Sequence, residues 1–274
     1  MRRTFKLVAV GLALAGLSAG LSRGYSSPAL ADTEAFNEGQ VKSIEKIVRE
    51  YLLSHPEIML ELQEAYEKKA EAKRSEALVS HMPAFYKTLA SMKDEVGALS
   101  IGNGDVTLVE FFDYNCGYCR QTLPELLKLI NSDKNLKVQF LEFPILSPGS
   151  AEASKVAMAA AKQGKYFEFH KAMFAAGRAS KESALKVAEQ IGLNMAQVKK
   201  DMDAPETQAS LAKMTELAKS IFVDGTPSFV VGDKTNPGAA DYDQLKQLVD
   251  ETRSQGCKAC AADAGGSAKN EKKS

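Results

Sequence analysis

The most constraining segment is Val106-Thr107-Leu108-Val109-Glu110-Phe111-Phe112, which runs through Asp113-Tyr114-Asn115 into Cys116-Gly117-Tyr118-Cys119. Its β-branched and aromatic residues predict a buried strand. From Tyr118 to about Ile130, apolar residues recur at Leu123, Leu126, Leu127 and Ile130, the period of an amphipathic helix. A strand that passes into a helix at a Cys-x-x-Cys places the first cysteine at the helix N-terminus. Unpaired N–H groups and the helix dipole favour a thiolate there. Cys116 is therefore the expected nucleophile, and Cys119, one turn later and partly shielded, the expected resolving thiol. Zinc is the competing reading of any Cys-x-x-Cys, but tetrahedral zinc needs four ligands and His55, His81 and His170 are scattered along the chain. No metal and no cofactor is expected.

The order of elements predicts the fold. Lys137 to Phe143 reads as a second strand, and residues about 150–221 read as helix broken at Gly164, Gly177, Gly192 and Pro205. Pro227 to Val231 reads as a third strand, Asn236-Pro237-Gly238 lies at or near a turn, and Tyr242 to about Arg253 is a closing amphipathic helix. Residues 98–255 thus run β-α-β, helical insert, β-β-α. The expectation is an α/β thioredoxin fold with an inserted helical domain.

Two further features bear on chemistry. In a thioredoxin fold the proline of Gly225-Thr226-Pro227 is cis and packs beside the Cys-x-x-Cys, where Thr226 offers its backbone to an extended client; a cis bond is tolerated chiefly at X-Pro. The alternative is an ordinary turn with a trans proline. Glu110 is an acid inside an apolar strand. Beneath the helix, with its pKa raised by burial, it can take a proton from Cys119. On the other face of the strand it points to solvent, and alternation alone leaves both placements open.

Upstream, Arg2, Arg3 and Lys6 precede an apolar run from Leu7 to Leu21, and Ala29-Leu30-Ala31 has the small-x-small form of a cleavage site. Residues 1–31 are expected to be a removed secretory signal; the alternative, a retained anchor, has a run shorter than the ~20 residues that span a bilayer. Removal leaves 31 basic against 35 acidic residues, a mildly acidic chain without the basic excess that a nucleic-acid partner selects. Residues 32–97 read as helix. Val41, Ile44, Ile47, Val48, Tyr51 and Leu52 share one face, and Ser54 with Glu57 forms a capping box for a second helix from about Pro56 towards Ser80. The apolar stripe of that second helix fades after Ala70, so this segment is expected to be a stalk or oligomerisation arm, with Gly97 to Gly104 as the boundary to the next domain.

Export makes disulfides permissible, and the four cysteines form two Cys-x-x-Cys pairs. The second, Cys257 and Cys260, lies in a Gly/Ala/Lys-rich tail, residues 256–274, expected to be disordered. A local disulfide, an auxiliary redox or copper-binding tail, and a pair without a role all remain open for it.

Three blocks carry a family resemblance: Val109 to Arg120 around the cysteines, Glu142-Phe143-Pro144-Ile145-Leu146, and Gly225-Thr226-Pro227. With Tyr51-Leu52-Leu53-Ser54-His55-Pro56-Glu57-Ile58, which is similar to a leader segment of these proteins, the chain resembles the DsbA-like proteins of the Com1/ScsC branch over residues 36–253. The resemblance implies a periplasmic thiol–disulfide oxidoreductase with Cys116 and Cys119 as redox pair. Gly117, Tyr118, Thr226 and Pro227 then face the client, an unfolded or misoxidised secreted protein. Some members are trimeric isomerases kept reduced by a DsbD- or ScsB-type membrane partner; others are oxidases recharged by a DsbB-type partner, and the ScsC type also implies copper tolerance. The homotrimeric isomerase is the expectation here, since the N-terminal segment reads as a stalk, with oxidase and copper-binding protein as alternatives. Gly117-Tyr118 stands where classical members have Pro-His, and because these two residues tune the redox potential the direction of electron flow stays open.

Overall fold

A computed structural model describes residues 36–260, so the expected signal segment and residues 261–274 lie outside the described residues. The chain divides into two units, one ending at Gln63 and one beginning at Glu64. In the first, α1 (Glu38–Ser54) begins at a capping box: Asn37 Oδ1 accepts the Gln40 N–H at 3.0 Å and Gln40 Oε1 accepts the Asn37 N–H at 2.9 Å. α1 buries nothing, and its face of Val41, Ile44, Ile47, Val48, Tyr51 and Leu52 meets solvent. The capping box expected at Ser54 is corrected. Its hydroxyl is turned back into α1, donating to Glu50 O and Tyr51 O, and among the described residues it accepts no N–H from Glu57.

The following helix, α2 (Glu57–Ser91), is longer than the sequence predicts and continues through Pro83. An interior proline costs a helix about 3 kcal/mol. Burial of Met82, Phe85, Tyr86 and Leu89 in the core of the second unit offsets that cost. The boundary expected at Gly97 is therefore not where the units divide. α3 (Lys93–Ala98) and Leu99 are also tied to this core, and Ser100–Ile101 forms a short strand, β1, inside the expected linker.

The sheet has the order β1-β3-β2-β4-β5. β2 (Val106–Phe112) is its centre, parallel to β3 (Leu136–Glu142) and antiparallel to β4 (Ser228–Val231). β1 pairs antiparallel with β3, and β5 (Lys234–Pro237) with β4. The turn between β4 and β5 is Gly232-Asp233, and Asn236-Pro237 ends the edge strand, where a proline needs no ladder donor. α4 (Gly117–Ser132) crosses from β2 to β3, and α10 (Tyr242–Gln255) packs on α4 and the sheet.

Between β3 and β4 lies the helical insert: α5 (Pro148–Lys162), α6 (Tyr166–Ala175), α7 (Lys181–Gln190), α8 (Met195–Met202) and α9 (Pro205–Ser220). The breaks fall at the expected glycines; Gly164, Gly177 and Gly192 all have positive φ, and Pro205 is the first residue of α9. The α/β thioredoxin fold with a helical insert is as the sequence predicts. No helix among the described residues is long and apolar enough to cross a membrane.

Phe85 is fully buried and packs against Tyr86 and Phe111. Phe85→Ala is expected to destabilise the second unit by about 3–5 kcal/mol in urea denaturation, whereas Tyr66→Ala, exposed on the same helix, should change it by less than about 0.5 kcal/mol.

Candidate active site

β2 is buried along nearly all its length and delivers the chain to Asp113, whose carbonyl accepts the Cys116 N–H at 2.9 Å. Cys116 is then the N-cap of α4, in extended conformation, and its sulfur accepts the Cys119 N–H at 3.2 Å. A sulfur thus occupies the capping position usually filled by a hydroxyl or carboxylate oxygen. Both cysteines are free thiols and buried, Cys116 at 4% exposure and Cys119 at 1%.

Their acidities are driven apart. The Cys119 thiol, the Thr226 side chain and the N–H groups of Cys119 and Tyr118 stabilise the Cys116 thiolate, bringing its pKa down to about 6 against the opposing effect of burial. Burial foremost, then the Cys116 sulfur and the charge of Glu110, push the Cys119 thiol far up. At neutral pH the first sulfur is ionised and the second holds its proton.

Thr226-Pro227 is cis, as the sequence predicts. The Thr226 carbonyl stands 3.2 Å from the Cys116 sulfur and accepts its S–H when the thiol is protonated. Thr226 Oγ1 is buried without a hydrogen-bond partner among the described residues, which leaves the hydroxyl available to the thiolate. Gly117 has open space around it and Tyr118 is 64% exposed, so the dipeptide between the cysteines faces outward.

Glu110 lies inside. It is 2% exposed, paired in register with Phe140 and Phe229, and its Oε2 has no hydrogen-bond partner among the described residues. Burial first, and the negative charge of Cys116 second, push its pKa up to about 8. The solvent-facing placement is thereby excluded.

Several residues here escaped sequence reasoning. Asn115 clamps the loop to the helical insert: its amide donates to Ser147 Oγ at 2.9 Å, Ser150 Oγ at 3.0 Å and Ala179 O at 3.0 Å, while its Oδ1 accepts the Ala179 N–H at 2.9 Å. Arg120 does the same from α4, donating to Phe174 O and Gly177 O. Behind them Glu142 is fully buried; its carboxylate accepts from Tyr166 at 3.0 Å, Tyr114 at 3.3 Å and Ser154 at 2.7 Å, and burial raises its pKa to about 8. An acid within an apolar strand, the signal that marks Glu110, is present at Glu142 too. Tyr114, Tyr166 and Ser154 carry no such signal, because only the packing of the insert brings them together.

Cys257 and Cys260 form a disulfide with each other. No group of three or more metal-ligating side chains is found among the described residues.

Residues 107–250 match the family described as DSBA-like thioredoxin domain. The chain belongs to this family of thiol–disulfide oxidoreductases. Residues 40–73 match the copper resistance protein ScsC N-terminal domain. A thioredoxin-like oxidoreductase from Silicibacter pomeroyi is 44% identical, with 57% of this chain and 91% of that one covered and a TM-score of 0.55. ScsC of Proteus mirabilis in a transitional conformation is 27% identical, covering 80% of this chain and 100% of that one, with a TM-score of 0.55. A probable disulfide bond formation protein D of Bacillus anthracis is 27% identical over 171 residues, 56% of this chain and 76% of that protein. The chain spans only 22% of the length of other curated relatives it matches, Na(+)/H(+) antiporters of Salinispora that are 26% identical over 147 residues.

A carboxyl whose pKa is raised in the folded state keeps a proton that the unfolded chain has lost between about pH 4.5 and 8, so it lowers stability as pH rises through that window. Glu110→Gln is therefore expected to stabilise the protein at pH 8, by on the order of 1–3 kcal/mol, and to leave it unchanged near pH 4 in urea denaturation. Cys116 has the opposite sign: its depressed pKa stabilises the reduced fold fully above the ordinary thiol pKa, and that contribution disappears as pH falls through about 6. The pH profile of Cys116 alkylation should have its midpoint near 6, and a midpoint at an ordinary thiol value would contradict the geometry above.

Proposed function

We propose that this protein exchanges disulfides with exported proteins through Cys116 and Cys119, acting as a periplasmic disulfide isomerase. The observation that carries the reading is the split in acidity between two sulfurs one helical turn apart, with the carbonyl of a cis-proline loop 3.2 Å from the first. The Cys116 thiolate attacks a client disulfide, one client sulfur joins Cys116, and the other leaves as a thiolate. That thiolate then attacks a second client disulfide sulfur, and the thiolate freed in that exchange attacks the client sulfur bound to Cys116, so that the re-paired client leaves and Cys116 returns as a thiolate with no net change in electrons. If no rearrangement follows, Cys119 attacks the Cys116 sulfur, releasing the client reduced and closing Cys116–Cys119. Cys119 must first lose a proton that burial holds tightly. Once Cys116 is bonded to the client its negative charge no longer holds the Glu110 proton, and Glu110 in its ionised form, near enough to shift the Cys119 acidity, is the acceptor. Gly117, Tyr118, Thr226 and Pro227 receive the client chain, with the Thr226 backbone aligning it.

Each release through Cys119 leaves the pair oxidised, so continued isomerisation requires a membrane reductase of the DsbD or ScsB type. The apolar face of α1 and the match of residues 40–73 to an ScsC N-terminal domain support a homotrimer joined through the N-terminal segment. An oxidase recharged by a DsbB-type partner is the runner-up.

Cys116→Ala should abolish reactivation of scrambled ribonuclease, while Cys119→Ala should accumulate mixed disulfides with the client, visible on non-reducing gels. Retained isomerase activity in Cys116→Ala would end this reading. Ile44→Asp with Ile47→Asp is expected to convert a trimer to monomers in light scattering and to reduce isomerase more than insulin-reducing activity. Thiol trapping from the native compartment decides the direction of electron flow, a mostly oxidised Cys116–Cys119 pair favouring the oxidase.

A further inference from the structure

The second cysteine pair has no part in that chemistry and sits at the other end of the sheet. Cys116 follows the C-terminal end of β2, whereas Cys257 and Cys260 line a cavity of about 520 Å³ that opens beside Val106 and Thr107 at its beginning. The seven residues of β2 between them span about 23 Å. Direct exchange between the two pairs within one chain is excluded by that distance.

The tail pair repeats a local feature of the first: the Cys260 N–H donates to the Cys257 sulfur at 3.0 Å, as the Cys119 N–H does to Cys116 at 3.2 Å. Its disulfide ties together no separate elements, since it closes a four-residue loop immediately after α10. The loop is anchored in another way. Asp233, in the β4–β5 turn, accepts the N–H groups of Lys258 and Ala259, each at 2.9 Å, and has an oxygen 3.6 Å from the Cys257 sulfur. These hydrogen bonds hold the loop independently of the S–S bond, and Asp233 is an acceptor beside the Cys257 thiol when it forms.

Both cysteines are partly exposed and line the cavity together with Tyr86, Leu89, Lys93 and Lys137. Arg253 is engaged by Asp105, Asp133 and Asp250, whereas Lys93 and Lys137, which also line the cavity, form no ion pair with described residues and supply two cationic groups for an incoming anion, with Asp233 as the acid beside the Cys257 sulfur. The geometry points to a second thiol–disulfide exchange site at Cys257–Cys260, independent of Cys116, that accepts thiols carrying carboxylates. In the step, an incoming thiolate bonds to the Cys260 sulfur, the S–S bond breaks, and its electron pair goes to Cys257, which takes a proton. A second thiolate then attacks the sulfur of the bound thiol, leaving as a low-mass disulfide and freeing Cys260, which also takes a proton. Two electrons pass from two thiols to the pair.

The test uses the full chain with Cys116→Ser and Cys119→Ser, so that failure of the isomerase reading does not affect it. Oxidised protein is treated with glutathione, an anionic thiol, or cysteamine, a cationic one, then acid-quenched, alkylated and weighed. Glutathione should open the pair, adding two alkyl groups. Lys93→Glu with Lys137→Glu should slow the glutathione reaction about fivefold or more while leaving cysteamine unchanged or faster. A pair that stays closed at glutathione concentrations that open Cys116–Cys119 in the unaltered chain is a fixed clip and overturns the proposal. Equal rates with and without the lysines, or equal slowing for both thiols, removes the selectivity for carboxylate-bearing thiols and overturns it as well.

Discussion

Everything distinctive about the site depends on a sulfur standing where a helix N-cap side chain belongs. The first turn of a helix has N–H groups without partners, and an anion there satisfies both the hydrogen bonds and the dipole. Cys116 takes that position because β2, buried on both faces, ends four residues earlier and Asp113 turns the chain. Cys119 falls one turn further into the core, where the same charge that the cap welcomes would be isolated from water. One local arrangement thus gives two identical side chains opposite protonation states.

The surrounding acids extend that asymmetry. Glu110 and Glu142 are both buried on neighbouring strands with raised pKa values near 8, yet they are satisfied differently. Glu142 is enclosed by three hydroxyl donors from the loop and the helical insert, which suits a group that holds the two parts of the domain together. Glu110 has an oxygen with no partner among the described residues, an arrangement that costs stability. Asn115 and Arg120 tie the cysteine loop to the insert by hydrogen bonds to backbone and hydroxyl groups, so the insert supports the position of the sulfurs and does more than cover them.

The long second helix shows how a sequence pattern misleads when one element serves two environments. Its first half is polar and exposed, and its apolar stripe fades, which reads as the end of anything that packs. Its last turns are nevertheless core, because Met82, Phe85, Tyr86 and Leu89 meet the sheet from a distance in sequence that periodicity does not register. Pro83 strengthens the misreading, since a proline ordinarily ends a helix and here its cost is met by burial.

The strand, the cysteine-capped helix, the glycine breaks of the insert and the cis-proline loop were legible in the residues, because each is a local preference of backbone or side chain. Periodicity identified the apolar face of α1 for the same reason. Which face of β2 carries Glu110, the enclosure of Glu142, the clamps made by Asn115 and Arg120, and the cavity beside Cys257 and Cys260 depended on segments far apart in the chain. Alternation assigns residues to two faces but does not say what covers each. Burial and its effect on acidity arise only when the insert and the end of α2 close over the sheet.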